Sequence, residues 1–153
     1  MLFRSTSGGC AIQLTLEQPP DVWMRVDPHQ IEQVLINLVQ NAAESIERDG
    51  QIRLGARADT ARLAGRARPV VVLEVSDTGK GIPPEVQKRL FDPFYSTKED
   101  GTGLGLSIAA RIVEQQGGAL QYKTELNRGT TFGLVLPRAE QNSDENTTQD
   151  STH

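Results

Sequence analysis

Val70-Val71-Val72-Leu73-Glu74-Val75-Ser76-Asp77-Thr78-Gly79-Lys80-Gly81 is the stretch on which the fold turns. Its first six residues are mostly apolar and β-branched, the pattern of a central strand buried on both faces. The strand ends in an aspartate followed by two glycines. A carboxylate at the mouth of an apolar layer only accepts hydrogen bonds, which suits an exocyclic amine such as that of adenine. Glycines let the backbone approach a flat base closely. The same residues also suit an ordinary Asx turn after a strand, and both readings stand.

Working outward, Ile12, Leu14 and Leu16 alternate and predict a half-buried strand; residues 22–26 predict a short second one after Pro19-Pro20. A helix follows. Asp27 caps it, Pro28 takes the first helical position, and Gln30 falls where a capping box wants an acceptor reaching back. It is expected to run to about residue 48, before Gly50, and residues 51–58 then alternate as a strand. Residues 59–69 read as a connection rich in arginine and small residues; with Arg57, its Arg62, Arg66 and Arg68 suit a solvated hairpin first and a partner-docking surface second. Beyond the central strand come a polar segment over 76–101, a second long helix over 104–116 closed by Gly117-Gly118, and two strands over 119–125 and 130–136. Asn127-Arg128-Gly129 is the turn between those strands. Strands with interspersed helices give an α/β class, a two-layer α/β sandwich, and the final hairpin makes its sheet mixed.

The 153 residues suffice for one core. Residues 1–10 read as a polar lead-in or linker, 11–137 as the domain, and 138–153, almost devoid of apolar side chains, as a disordered tail. A net charge of −4 offers no case for nucleic acid or an acidic membrane as partner. No apolar run approaches the roughly 20 residues of a membrane span, and the first residues lack the apolar centre of a secretory signal. Cys10 is alone, and His29 and His153 are the only imidazoles, so neither a disulfide framework nor a structural zinc site is expected. The expected setting is cytoplasmic.

Three further features carry chemistry. On the first long helix, Ile31, Val34, Leu35, Leu38, Ala42 and Ile46 share one stripe; Gln30, Asn37, Asn41 and Glu44 border it. Asn37 and Asn41 stack one turn apart on a helix that asparagine does not favour. They suit hydrogen bonding to a nearby loop, or an amide oxygen contact to a hard cation such as Mg²⁺, which takes one or two ligands from protein and the rest from phosphates and water. Gly101-Thr102-Gly103-Leu104-Gly105-Leu106 opens the second long helix, where main-chain N–H groups and the helix N-terminus favour a phosphate; Ile108, Ala109, Ile112 and Val113 supply its core face. Between the glycine clusters, Leu90-Phe91-Asp92-Pro93-Phe94-Tyr95 is an apolar cluster in a polar segment, suited to closing over a ligand. Lys80, Lys88, Arg89 and Lys98 are cations that could then reach phosphate oxygens, each with a solvated role as the alternative.

In this order, Asn37-Leu38-Val39-Gln40-Asn41-Ala42, Asp77-Thr78-Gly79-Lys80-Gly81-Ile82, Phe91-Asp92-Pro93-Phe94 and Gly101-Thr102-Gly103-Leu104-Gly105-Leu106 resemble the N, G1, F and G2 boxes of the histidine-kinase ATP-binding domain. Gly129-Thr130-Thr131-Phe132 resembles its last glycine motif. The resemblance covers residues 11–137 and implies the Bergerat (GHKL) sandwich, shared with gyrase, the 90 kDa chaperone class and mismatch-repair ATPases. It implies ATP and Mg²⁺ as cofactors, Asn41 as the metal ligand and Asp77 as the adenine acceptor. It further implies Gly79, Gly81, Ile82 and Phe94 in the nucleotide pocket, and Gly101, Thr102, Gly103, Leu104, Gly105 and Leu106 as the phosphate-side hinge of a lid. Asn37 and Lys98 would lie near the phosphates, with Thr130 in water-mediated contact with the base. The wording Phe94-Tyr95-Ser96-Thr97-Lys98 is most similar to the nitrogen-regulation sensor branch.

Hydrolytic relatives carry a glutamate base four residues before the metal-binding asparagine. This chain has Asn37, which cannot act as a base near neutral pH. The resemblance therefore implies a protein-histidine kinase domain that presents the γ-phosphate to an outside nucleophile. His29, on the face opposite the apolar stripe, and His153 lack the context of an acceptor. The expected partners are a phosphoacceptor histidine domain, in the parent chain or in trans, and a downstream response regulator, with the isolated domain a monomer. An anti-sigma-type protein-serine kinase and a non-catalytic nucleotide-sensing module are the alternatives.

Overall fold

A computed structural model of the chain describes residues 2–7, 10–18, 20–92 and 105–139, with side chains described from residue 11 onward. The elements are β1 (Leu2–Ser7), β2 (Cys10–Leu16), β3 (Trp23–Met24), α1 (Pro28–Ser45), β4 (Gly50–Leu63), β5 (Arg66–Asp77), α2 (Pro84–Gln87), α3 (Gly105–Gln115), β6 (Ala119–Glu125) and β7 (Gly129–Ala139). The strands form one sheet in the order β1-β2-β4-β5-β7-β3, with β6 also on β7. β6 takes residues 129–135 of β7, and β3 takes Arg138 and Ala139 further along the same edge.

The sheet is mixed, but the final hairpin is not the reason. Among the described pairings β2 and β4 alone are parallel, and the long crossover between them contains α1. α1 and α3 cover one face, which makes the two-layer sandwich expected from the sequence. Ile31, Val34, Leu38, Ala42 and Ile46 of α1 meet Ile52, Val75, Phe132, Leu134 and Leu136 of the sheet and Ala109 and Val113 of α3. Leu38 is fully buried, a burial that contributes about 2 kcal/mol. On α3 the expected core face is narrower: Ala109 and Val113 are buried and Ile112 is partly so, but Ile108 is 47% exposed.

Three boundaries differ from the sequence reading. Leu2–Ser7 pairs antiparallel with β2, Ser7 opposite Cys10, although residues 1–10 read as a lead-in. Ser5, Thr6 and Ser7 give this edge strand too little apolar contrast for its period to show. Residues 59–69 are strand rather than connection: β4 and β5 stay in register from Ile52↔Asp77 to Leu63↔Arg66. Ala64 (φ 52°) and Gly65 (φ 78°) make the two-residue turn, both left-handed as a type I′ turn requires. Where this ribbon joins the sheet, a second cluster forms from Leu63, Val70, Val72 and Val135, and Arg57 pairs with Glu74 and Asp59. Finally, β7 extends to Ala139, and residues 140–153 lie outside the described residues.

The start of α1 is stitched to the end of α3. Asp27 Oδ1 accepts from the N–H groups of His29 (3.0 Å) and Gln30 (3.3 Å), as a cap should. The expected reach-back by Gln30 is replaced by a tertiary contact: Gln116 Oε1 accepts from Asp27 N–H at 2.9 Å. Gln116 Nε2 donates to Gln30 Oε1 at 2.7 Å, occupying the side chain that would have closed the box. His29 is exposed, as its helical position predicts.

Candidate functional site

The central strand β5 delivers Asp77 to the end of the helix-covered face. Its carboxyl is half-buried and is held through one oxygen. Gly79 N–H donates to Oδ1 at 2.8 Å, which is the Asx turn allowed by the sequence, and Thr130 N–H of β7 donates to the same oxygen at 3.3 Å. Among the described residues Oδ2 receives no donor. The turn and the open acceptor therefore coexist, because the turn uses only half of the carboxylate. Burial pushes the carboxyl above the usual carboxylate range, against the lowering influence of the two N–H groups.

The glycines around Asp77 are tight approaches. Gly79 is buried against the last turn of α1, where a Cβ would meet the carbonyl of Ser45 at 2.7 Å; the same carbonyl accepts from Lys80 N–H at 3.1 Å. Gly81 (φ 75°) packs against the carbonyl of Glu125, and Gly129 (φ 135°) packs on the carbonyl of Asp77 itself. Thr78 crosses back to β4, donating its N–H to Gln51 O (3.1 Å) and accepting from Gln51 N–H (2.9 Å). The loop is thereby tied to α1, β4 and the β6–β7 hairpin at once.

Asn37 and Asn41 lie half-buried one turn apart on α1, bordering the apolar stripe as expected. Gly105, the first residue of α3, sits directly over Asn37; a Cβ there would lie 2.8 Å from Asn37 Nδ2. Asn37, Asn41 and the described end of the glycine loop thus converge. Leu106 packs partly buried against the core, as does Ile82. Phe94, Lys98, Gly101, Thr102, Gly103 and Leu104 lie outside the described residues. Of the other cations, Lys80 approaches Glu47 at 3.8 Å and Arg89 approaches Asp92 at 3.7 Å, both pairs exposed, while Lys88 is solvent-facing. Among the described residues, no three His, Cys, Asp or Glu side chains cluster as a metal cage.

Two groups escaped the sequence reading. Thr124 of β6 pairs with Thr130 and points to the same face. Its Oγ1 lies 2.9 Å from Thr130 Oγ1 and accepts from Ile82 N–H at 2.9 Å. A hydroxyl at the inward position of the alternating series Leu120, Tyr122, Thr124 is the signal that could have found it. Tyr122 stacks between Phe91 (5.8 Å) and Phe132 (5.9 Å), seating the segment that follows α2 on the sheet. A surface depression of about 300 Å³ at the end of the β6–β7 hairpin is bordered by Asp77, Thr124 and Thr130 among others.

This arrangement is that of a nucleotide-binding sandwich, and comparison with known proteins gives its family. Residues 26–140 match the family of histidine kinase-, DNA gyrase B- and HSP90-like ATPases, and the chain belongs to it. It is 44% identical over 140 residues to the sensor kinase CckA of Brucella abortus, covering 85% of this chain and 15% of that protein. It is 46% identical over 113 residues to the sensory histidine kinase/phosphatase NtrB of Proteus hauseri, covering 72% of this chain and 32% of NtrB. The chain thus spans less than a third of the length of either relative. Among solved structures it resembles the nucleotide-free catalytic domain of histidine kinase ThkA, with a TM-score of 0.66 at 35% identity, covering 83% of this chain and 79% of that one. It also resembles full-length ShkA in complex with AMPPNP, with a TM-score of 0.68 at 30% identity, covering 85% of this chain and 26% of that one. Among the described residues no helix is long and apolar enough to cross a membrane.

Proposed function

We propose that the chain is the ATP-binding catalytic domain of a two-component sensor histidine kinase, presenting the γ-phosphate of ATP to a histidine on a separate phosphoacceptor domain. The observation that carries this reading is the half-buried Asp77, anchored through Oδ1 with no donor on Oδ2 among the described residues, at the end of the sheet face covered by the helices that carry Asn37, Asn41 and Gly105. Asp77 would accept the adenine amine, and the close approaches of Gly79 to Ser45 and of Gly81 to Glu125 hold the loop beside it in place. Asn41 would supply an amide oxygen to Mg²⁺, and Asn37 would lie near the phosphates. The remaining ligands would come from phosphates and water, the usual Mg²⁺ arrangement. Such an ion would neutralise charge on the phosphates. Thr130, Ile82, Leu106 and the loop 101–105, with Phe94 and Lys98, complete the pocket in this reading.

Asn37 stands where a hydrolase of this family would need a general base, and an amide has no basic lone pair near neutral pH. What remains for the domain is positioning and charge stabilisation. The partners are a histidine-bearing helical domain, in the parent chain or in trans, and a response regulator, with the domain facing the cytoplasm. The test is phosphotransfer from γ-labelled ATP to a separately supplied phosphoacceptor domain. An acid-labile, base-stable product is expected. An acid-stable product would point to a serine acceptor, and binding without transfer to any acceptor would reduce the domain to a nucleotide sensor.

A further inference from the structure

We propose that Thr124 is a specificity-determining positioning residue, setting the hydroxyl of Thr130 to donate toward an acceptor atom of the bound base. The inference rests on the reading of Asp77 as the base acceptor and extends it to a residue outside the glycine-rich motifs.

A threonine hydroxyl has one proton and two lone pairs. Thr124 Oγ1 accepts the Ile82 N–H at 2.9 Å, which takes one lone pair. Its proton has two destinations, Thr130 Oγ1 at 2.9 Å and Gly129 O at 3.3 Å. An O–H···O hydrogen bond spans roughly 2.5–3.0 Å, so the first destination is within range and the second is stretched. When a base presents an acceptor, donation from Thr124 to Thr130 frees the proton of Thr130 for it. Two well-formed hydrogen bonds then replace one good and one long bond. Thr130 is 5% exposed, so its hydroxyl is oriented by Thr124 rather than by solvent, and without that bond it is free to rotate.

Thr130 is also the cross-strand partner of Asp77, and paired residues present their side chains to one face of the sheet. The pocket wall thereby carries an acceptor, Asp77 Oδ2, beside a donor, Thr130 Oγ1. An aminopurine edge has the complementary order, an amine donor beside a ring-nitrogen acceptor. A guanine edge has the reverse order, a carbonyl beside an N–H, and would meet Asp77 with the wrong polarity. Thr124 fixes the donor half of this code, and through Ile82 N–H it locks the same hydroxyl to the loop that shapes the pocket.

Calorimetry of ADP and of GDP on the full chain tests this, with Thr124→Val, Thr124→Ser and Asp77→Asn compared to the parent and melting curves taken for each. Thr124→Val keeps the shape and removes the hydroxyl. It should lower ADP affinity and the ADP-to-GDP preference by about tenfold each, the size of one net hydrogen bond. Thr124→Ser should stay within about threefold of the parent in both. If Thr124→Val weakens both nucleotides equally, or leaves the preference unchanged, the residue is merely structural and the proposal is overturned. Should Thr124→Val fail to fold, Thr124→Ala carries the same expectation. Asp77→Asn separates the two levels. Unchanged ADP affinity in that variant removes the base-acceptor reading itself, whereas a loss there with an intact preference in Thr124→Val removes only the role of Thr124.

Discussion

Thr130 donates its main-chain N–H to Oδ1 of Asp77 at 3.3 Å, across the β5–β7 ladder in which the two are partners. Gly79 donates to the same oxygen from the chain immediately following. The carboxyl at the end of the central strand is therefore oriented by its own turn and by the C-terminal hairpin together. Because both bonds fall on one oxygen, the other is presented in a fixed direction and takes no donor among the described residues. A rigid acceptor of this kind suits a planar donor, since little ordering remains to be done on binding.

Asp77→Asn is expected to lose most adenine-nucleotide affinity. An amide that keeps its oxygen toward Gly79 and Thr130 turns its NH₂ into the pocket, where it meets the amine of the base donor to donor. A hydrogen bond to a charged group is worth about 1.5–3 kcal/mol, which corresponds to a loss of roughly 10- to 100-fold. Calorimetry with ADP in the presence of a chelator isolates this contact from the metal. Parent-like affinity would remove Asp77 from the base site.

The same carboxyl predicts a pH dependence. Burial holds its pKa in the folded chain above the unfolded value. Folding therefore favours the protonated form. The contribution of Asp77 to stability is fully present below the unfolded carboxylate pKa and is lost as pH rises through the folded pKa. The stability of the empty domain relative to Asp77→Asn should fall over that window and flatten above it. An amine donor favours the ionised form, so ADP affinity should weaken as pH drops through the folded pKa. Carbon NMR titration of the Asp77 carboxyl with and without ADP checks both statements; a midpoint in the empty domain at or below the ordinary aspartate value, or one that ADP does not lower, would contradict them.

Much of this site was legible because its parts obey short-range rules. Pro28 after Asp27 announces α1, the apolar stripe from Ile31 to Ile46 announces its buried face, and the β-branched run ending in Asp77 announces the central strand. What escaped depends on long-range pairing. The partner of Asp27 N–H is Gln116, at the far end of another helix, where sequence spacing offered only Gln30. A solvated hairpin over 59–69 is legible in its arginines, but the turn at Ala64-Gly65 and the unbroken ladder are not, because Ala64-Gly65 lacks the usual asparagine or aspartate of a type I′ turn. Thr124 was missed because its importance lies in two neighbours, Ile82 and Thr130, that only the folded hairpin brings together. Ile108 was assigned to the core by helical period alone, which cannot tell how far the covering sheet extends.

Gly129→Ala should be among the more damaging single-methyl changes in the chain. Gly129 sits at φ 135°, and an added Cβ would run into the carbonyl of Asp77, with Thr78 Cα 3.1 Å away. Neither is a flexible side chain that can swing aside. The cost should be about 2–4 kcal/mol, lowering the melting temperature by about 5–15 °C. Gly65→Ala is the internal control: its φ of 78° is also left-handed, yet nothing lies within 4 Å of an added Cβ. That change should cost only about 1 kcal/mol, the penalty of the backbone conformation alone. Equal melting shifts in the two variants would show that the contact with Asp77 does not matter.

Asn41→Ala should separate metal-dependent from metal-independent binding. Asn41 lies one turn beyond Asn37 on the half-buried border of α1, and Gly105 over Asn37 brings the start of α3 to the same place. An amide oxygen there can complete the shell of a hard cation already bridging phosphates, while Asp77, the proposed base acceptor, is at the end of β5 and does not depend on it. Binding of ATP with Mg²⁺ should therefore weaken by about tenfold or more, and binding of ATP in a chelator by no more than about threefold. Asn41→Asp retains an oxygen ligand and adds charge, so it should recover part of the magnesium-dependent affinity. Titrations of all three proteins in both buffers decide the matter. Equal losses with and without Mg²⁺ in Asn41→Ala would assign this asparagine to holding the helix border, and would move the metal elsewhere.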